Sequence, residues 1–306
     1  MLNAEQSIIK TLAYFNMFNY PLRKEELIVF LDTRYERMVF EDALYSLCDA
    51  GIIHAVDEFY SLQKNIFLAE RRKKGNERAA KKLKTAKKIA RLLYGFPFVT
   101  GVAVSGSLSK NYADKDSDID FFIITKPNRL WLARTFMHLF KKISFLAGKE
   151  HWLCMNYYID ESALEIKEKN IFTAIEVITL HPFYGNSTFK KFFTANKWSK
   201  SFFPAFFPRI NAANDIRKGI VKSLLEPVFD NRMGDWLNRM FMTITIKRWK
   251  KKADDHQRSY SGELMGLDGN EHYAKPDPSN FQQKILLRLE SETEAMMLRW
   301  ESANSA

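Results

Sequence analysis

Cysteine is nearly missing from this chain of 306 residues: only Cys48 and Cys154 occur, 106 positions apart. Two distant thiols without accompanying Cys/His spacing support neither a disulfide framework nor a zinc knuckle. The six histidines form no i,i+4 pair, which argues against a helical zinc site or a histidine-based nucleophilic relay. No uninterrupted apolar run approaches the roughly 18 residues of a membrane span. The opening MLNAEQSIIK has no basic segment followed by an apolar one, so a cytoplasmic location is expected. Internal repeats are lacking too.

What is present is ordinary in bulk. The length suits about two domains with a sizeable core. A hydrophobic content of 46% with 27% charged residues fits a soluble globular protein, and the 25 phenylalanines are numerous but scattered. The net charge of +11 suggests a polyanion partner until it is located. Between Arg71 and Arg91 eleven Lys or Arg residues face the single Glu77, a local +10 that is nearly the whole excess. Ala79, Ala80, Leu83, Ala86, Ile89, Ala90 and Leu93 recur there at helical spacing, which predicts a basic amphipathic helix. Its charged face reads either as a solvated connector or as a contact surface for RNA, DNA or a triphosphate.

Ahead of it, Ile8, Ile9, Leu12 and Phe15, with Phe18, make a helical stripe. Asn19-Tyr20-Pro21 breaks it, Lys24 to Leu31 is a short second helix, and Glu36 to Ala50 a third, ended by Gly51 as a C-cap. Ile52 to Val56 and Phe59 to Leu62 flank Asp57-Glu58 as a small hairpin. Three helices and a hairpin resemble a winged helix-turn-helix domain, which implies DNA contact through the third helix. That helix, however, turns Glu36, Glu41, Asp42 and Asp49 outward against Arg37, so packing or protein contact suits it better than phosphate contact.

The stretch FPFVTGVAVSGSLSKNYADKDSDIDFFIIT, from Phe96 to Thr125, carries the chemistry. Val99 to Val104 reads as a buried strand that stops at Ser105-Gly106-Ser107, where glycine lets the chain turn and small side chains let a ligand approach. A helix is expected near Leu108, and its N-terminus with the Ser107 hydroxyl suits phosphate oxygens. Ten residues after Ser107 comes Ser117-Asp118-Ile119-Asp120, then Phe121 to Ile124. Period-two alternation puts Asp118 and Asp120 on one face and Ile119 in the core. Two like charges side by side need a cation, and Mg²⁺, which takes one or two protein carboxylates plus water and phosphate oxygens, fits that need.

Gly106-Ser107, the ten-residue gap, Asp118-x-Asp120 and the apolar strand after it resemble the signature of the DNA polymerase beta-like nucleotidyltransferase superfamily. The resemblance runs from Phe98 to roughly Asp160. It implies Mg²⁺-dependent transfer of a nucleoside monophosphate from an NTP, with Gly106, Ser107 and Lys110 on the triphosphate and Asp118 and Asp120 on metal. It also implies a third carboxylate on the next strand, Trp152 to Ile159. There the chain has Asn156, whose amide ligates metal weakly and accepts no proton. Asp160 has the same facing but lies about 13 Å further along an extended strand. Either Asp160 completes the metal set with Asn156, or a residue elsewhere does, or the site is catalytically impaired and the protein binds nucleotide or serves as a scaffold. A transcriptional regulator using the winged helix is the other alternative. Asn111 stands where many relatives have glycine, and asparagine tolerates the left-handed backbone. Lys110 and Lys115 in the same loop read either as phosphate partners or as merely solvated side chains.

Beyond this, Arg129 to Ala147 is a strong helix, Phe172 to Leu180 a helix stopped at His181-Pro182, and Phe202 to Pro208 a packed connection. Met233 to Trp249 is a long helix ending in Lys247 to Lys252, a cationic end that suits the helix dipole, a membrane surface or a nucleic-acid backbone. Asp254 to Pro278 reads as loop, and Asn280 to Trp300 as a final helix. The expected organisation is α/β (α+β): a winged-helix-like domain over 1–68, a basic connecting helix over 69–95, a small mixed-sheet nucleotidyltransferase domain over 96–200, and a helical C-terminal region over 201–306. The acceptor, whether RNA, protein or small molecule, is left open, because one scaffold serves many acceptors.

Overall fold

The computed structural model of the chain describes residues 3–145, 154–209, 212–216, 219–255, 266–277 and 280–304. Its centre is a six-stranded mixed sheet in the order β7-β4-β5-β6-β9-β8. The expected strand pair forms as β4 (Val99–Val104) and β5 (Asp120–Thr125), antiparallel, with Val104 opposite Phe121. The third strand, β6 (Cys154–Asp160), runs parallel to β5 after a crossover through α6 (Leu130–Phe145), as parallel neighbours require.

Alternation along β4 and β5 decides the layers. Val102, Val104, Phe121 and Ile123 face a core shared with α4 (Phe67–Tyr94), α6 and α10 (Arg232–Asp255). Ala103, Phe122 and Ile124 face the opposite core, built on α7 (Ile171–Thr179) and α8 (Asn186–Ala195) with Val177, Leu180, Phe189 and Phe192. Helices cover both sides, so these strands read as continuous apolar runs.

Two segments depart from expectation. His181-Pro182 ends α7 and begins an edge strand, β7 (His181–Tyr184), which pairs with β4. Asp254 to Pro278, expected as loop, contains β8 (Gly266–Gly269) and β9 (Tyr273–Asp277), an antiparallel hairpin joined to β6 through Tyr158 and Ile159. Proline is tolerated in both places because each is paired on one side only: Pro182 opposite Ala103 on an edge strand, and Pro276 opposite Leu267 beyond the pairing with β6. Neither segment has the β-branched alternation that marks a strand locally. The region over 201–306, expected to be helical, therefore completes the sheet as well as supplying α9 (Ile220–Phe229), α10 and α11 (Phe281–Asn304).

The N-terminal part runs α1 (Ala4–Asn16), β1 (Leu22–Arg23), α2 (Lys24–Phe30), α3 (Arg37–Asp49), β2 (His54–Val56) and β3 (Phe59–Ser61), with the three strands ordered β1-β3-β2. Gly51 takes φ +64 just past α3, the left-handed stop that glycine permits. Ile8, Leu12, Phe15 and Leu47 share one core with Ile175 and Ile178 of α7, Phe203 of the proline-broken connection, and Ile285 and Leu289 of α11. Both ends of the chain thus pack around α7.

The basic helix α4 buries Ala79, Ala86, Ile89, Ala90 and Leu93. Much of its charge is used internally. Arg72, 1% exposed, binds both Glu26 oxygens at 2.6 and 3.1 Å and the Pro21 carbonyl at 2.7 Å, and lies over the Tyr20 ring. Arg71 pairs with Asp114, Lys73 with Asp57 and Lys74 with Glu70. Lys81, Lys84 and Lys88 remain exposed.

Candidate active site

The turn after β4 is shaped by one glycine. Gly106 takes φ +65, and a Cβ built on it would lie 2.6 Å from Asp120 Oδ2. Any side chain at 106 would collide with that carboxylate in a backbone conformation L-residues disfavour, so turn and acid can touch only through glycine. The Ser105 N–H donates to the Asp120 carbonyl at 2.9 Å, fixing the turn against the head of β5. A single helical turn, α5 (Gly106–Ser109), follows, and Asn111 adopts φ +59, the left-handed conformation expected of it.

Ile119 is buried, Asp120 half-buried and Asp118 exposed, which is the alternation the sequence demanded. Asp118 lies just ahead of β5, at the end of a loop that is firmly held. The Asp114 N–H donates to Ser117 Oγ at 2.8 Å, Tyr112 Oη donates to Asp114 Oδ1 at 2.7 Å, and Lys82 of α4 donates to the Ser117 carbonyl. Burial, with the hydrogen bond to Asp114, pushes the Tyr112 hydroxyl well above its usual range and keeps it a donor.

The third acid is resolved in an unexpected way. Asp160 pairs in register with Thr125, at the far end of β5 from Asp120, about 17 Å away at strand rise. It is fully buried and accepts from the Asn128 N–H at 3.1 Å, the Ser162 N–H at 3.0 Å and Ser162 Oγ at 2.6 Å, with His272 Nδ1 at 3.1 Å. The expectation that Asp160 joins the metal pair is thereby corrected: it ties β6 to the loops at the opposite end of the sheet. Asn156 falls between the two registers of the β5–β6 pairing, and its side chain lies outside the described residues.

The carboxylate that does reach the turn is Glu176 of α7. Its Oε2 accepts from the Gly106 N–H at 3.1 Å and its Oε1 from Lys110 Nζ at 2.6 Å, while Lys110 Nζ also donates to the Gly106 carbonyl at 3.1 Å. Lys110, expected to pair with phosphate, here reaches the turn and pairs with a protein carboxylate. Glu176 also raises the buried Tyr14 hydroxyl, second to burial itself. The sequence held one signal for it: Glu176 is the single charge in the otherwise apolar α7, IFTAIEVIT.

Two chambers meet here. One of about 450 Å³ is walled by Phe122, Tyr157, Ile166, Val177, Leu180 and Phe192. The other, about 290 Å³, holds Ser107, Lys110, Arg71 and Tyr112. Gly106, Asp120, Phe172, Glu176 and Phe281 line both, and the rings of Phe172 and Phe281 meet edge to face at 5.9 Å. Asp118 lines neither and stands on the exposed approach.

Residues 83–191 match the family model of a nucleotidyltransferase domain. The match takes in the second half of α4, the turn and carboxylate pair, β4 to β7 and most of α8, and supports the nucleotidyltransferase superfamily for this segment. No curated protein and no solved structure matches the chain. Among the described residues no group of three or more His, Cys, Asp or Glu is placed to hold a metal ion. Of the two acids, Asp120 is the one that abuts the glycine cradle, a single protein carboxylate of the kind Mg²⁺ can use together with water and phosphate oxygens. Among the described residues no helix is long and apolar enough to cross a membrane.

Proposed function

We propose that the chain is a Mg²⁺-dependent nucleotidyltransferase that moves a nucleoside monophosphate from an NTP to an acceptor hydroxyl. The observation that carries this is Gly106, whose missing Cβ lets the turn abut the Asp120 carboxylate. Gly106, Ser107 and Lys110 would hold the triphosphate in the smaller chamber, and Asp118 and Asp120 would hold Mg²⁺. When bound, the cation offsets charge on the phosphates and on the attacking and leaving oxygens.

Glu176 occupies the Gly106 N–H and the Lys110 ammonium, the donors a phosphate would use. Phosphate binding hands those donors over and releases Glu176 beside both chambers. The acceptor oxygen then bonds to the α-phosphorus, the bond to the pyrophosphate oxygen breaks, pyrophosphate leaves, and the hydroxyl proton passes to Glu176. This proton acceptor favours an active enzyme over an impaired nucleotide-binding scaffold, despite Asn156. The test is the unfolding midpoint of the full chain with each of the four NTPs, with and without Mg²⁺. An NTP at a hundred times its Kd adds about 2.7 kcal/mol of stability. A midpoint unmoved by every NTP sinks the proposal.

The N-terminal order α1-β1-α2-α3-β2-β3 supports a winged-helix-like domain. Its α3 exposes Met38, Val39, Tyr45 and Asp49, and Arg37 pairs with Glu41, a surface suited to protein contact rather than duplex DNA. A nucleic-acid partner on α4 would rest on the exposed Lys81, Lys84 and Lys88. Binding of single-stranded RNA that weakens with salt, and whose salt slope shrinks when these three become Glu, tests that reading.

A further inference from the structure

We infer that the 450 Å³ chamber is the acceptor site and that it takes a small hydroxyl compound with a planar, largely apolar body and a neutral or positive charge. The inference rests on the proposed transfer at Gly106 and Asp120, both of which line this chamber as well as the smaller one. The volume falls in the range of pockets that enclose one small organic molecule. Phe122 and Tyr157, paired across β5 and β6, stack at 5.3 Å with 13° between their planes, and Phe192 meets Phe122 edge-on at 5.1 Å. Flat aromatic surfaces of this kind favour a flat ligand.

Charge selects further. The lining carries four acids, Asp120, Glu168, Glu176 and Asp277, and one base, Lys275; Glu168 pairs with Lys275 at 2.9 Å, and Glu176 with Lys110 of the adjoining chamber at 2.6 Å, so the lining still carries more acid than base. Away from the junction where Mg²⁺ and the triphosphate are proposed, an apolar cleft with this acidic excess disfavours an anionic acceptor and favours a cationic one, which aromatic faces also attract. Polyanionic acceptors such as RNA are therefore disfavoured in this chamber, whatever they do on α4. Lys275, Asp277, Phe281 and Gln282 come from β9 and α11, outside the segment that matches the nucleotidyltransferase domain. Acceptor choice is thus supplied by the C-terminal region.

The probes are naphthalenemethanol, its aminomethyl derivative and its carboxylate derivative, titrated onto the full chain by naphthalene fluorescence. The neutral and cationic alcohols should bind, and the carboxylate at least about tenfold more weakly. V177F, which fills the chamber from α7, should weaken the neutral alcohol at least about tenfold, with the unfolding midpoint reporting whether the variant is folded. Glu168 lies at an exposed rim, so E168K needs no repacking; it should shrink the preference for cation over carboxylate at least about fivefold. Equal binding of the carboxylate, affinities unmoved by E168K, or displacement of the probe by single-stranded RNA overturns the inference. A wild type stabilised by Mg²⁺ and NTP that binds no naphthyl alcohol loses the acceptor site but keeps the transferase reading. No stabilisation by any NTP removes both.

Discussion

The two ends of the β5–β6 pair carry the same chemical group in opposite circumstances. At one end Asp118 and Asp120 stand exposed and half-buried beside a turn only glycine can make; at the other, Asp160 is fully buried among hydrogen-bond donors. A buried carboxylate must be satisfied by the protein, and one so satisfied has little left for a ligand. Residue type alone therefore says little about role. What sets Asp120 apart from Asp160 is that two chambers open on it, whereas Asp160 is enclosed.

The sharpest way to test this contrast is to neutralise each end. Converting Asp118 and Asp120 together to Asn should cost at least about a thousandfold in Mg²⁺-dependent nucleotide transfer, roughly 4 kcal/mol in the barrier, with little change in unfolding midpoint. Full turnover in that variant would end the assignment. Asp160→Ala should do the reverse, lowering stability by roughly 3 kcal/mol as its donors lose their acceptor, while the NTP-induced rise in midpoint persists. Were denaturant titration to find Asp160→Ala as stable as wild type but unable to bind nucleotide, the two ends would have been confused.

Gly106→Ala probes the junction itself. The left-handed backbone costs a non-glycine residue roughly 1–2 kcal/mol, and the new Cβ would meet Asp120. The stabilisation by NTP and Mg²⁺ should vanish with a modest loss of stability, as calorimetry would show. A Gly106→Ala protein still stabilised by NTP would mean that turn and carboxylate need not touch.

The smallest effect concerns acidity away from the site. Burial pushes His138 of α6 down to about 3, with Arg134 and two lysines adding to it, and His181 of β7 down to about 4, with Arg209 and Lys87 adding. Both rings are neutral in the fold but take a proton near their usual 6.5 once unfolded. Their contribution to stability is therefore fully present above pH 6.5 and is lost as pH falls toward about 4 for His181 and about 3 for His138. Urea midpoints across this window should decline in wild type and decline less in a His138→Gln, His181→Gln double variant. Parallel curves would locate the acid sensitivity elsewhere.

Much of this arrangement was legible in advance. The limits of β4, the glycine turn, the burial of Ile119 between two outward acids and the left-handed Asn111 follow from alternation and backbone sterics over a few residues. The basic helix was equally plain, but its use was not. Arg72 looks in sequence like one more solvated cation, and only the approach of Glu26, Pro21 and Tyr20 makes it an anchor for the N-terminal part. The β8–β9 hairpin was missed because its residues carry no alternating apolar pattern and gain a strand's geometry by pairing with β6.

By itself the sequence determined the local grammar: which segments alternate with period two, where glycine must turn, and which pair of acids heads a buried strand. Tertiary structure alone decided which third carboxylate meets that turn. Asp160 has the right facing on the right strand, yet the parallel register carries it to the far end of the sheet, while Glu176 arrives from a later helix. Register and helix docking are set by burial summed over both sheet faces, a long-range quantity that no short stretch of residues encodes.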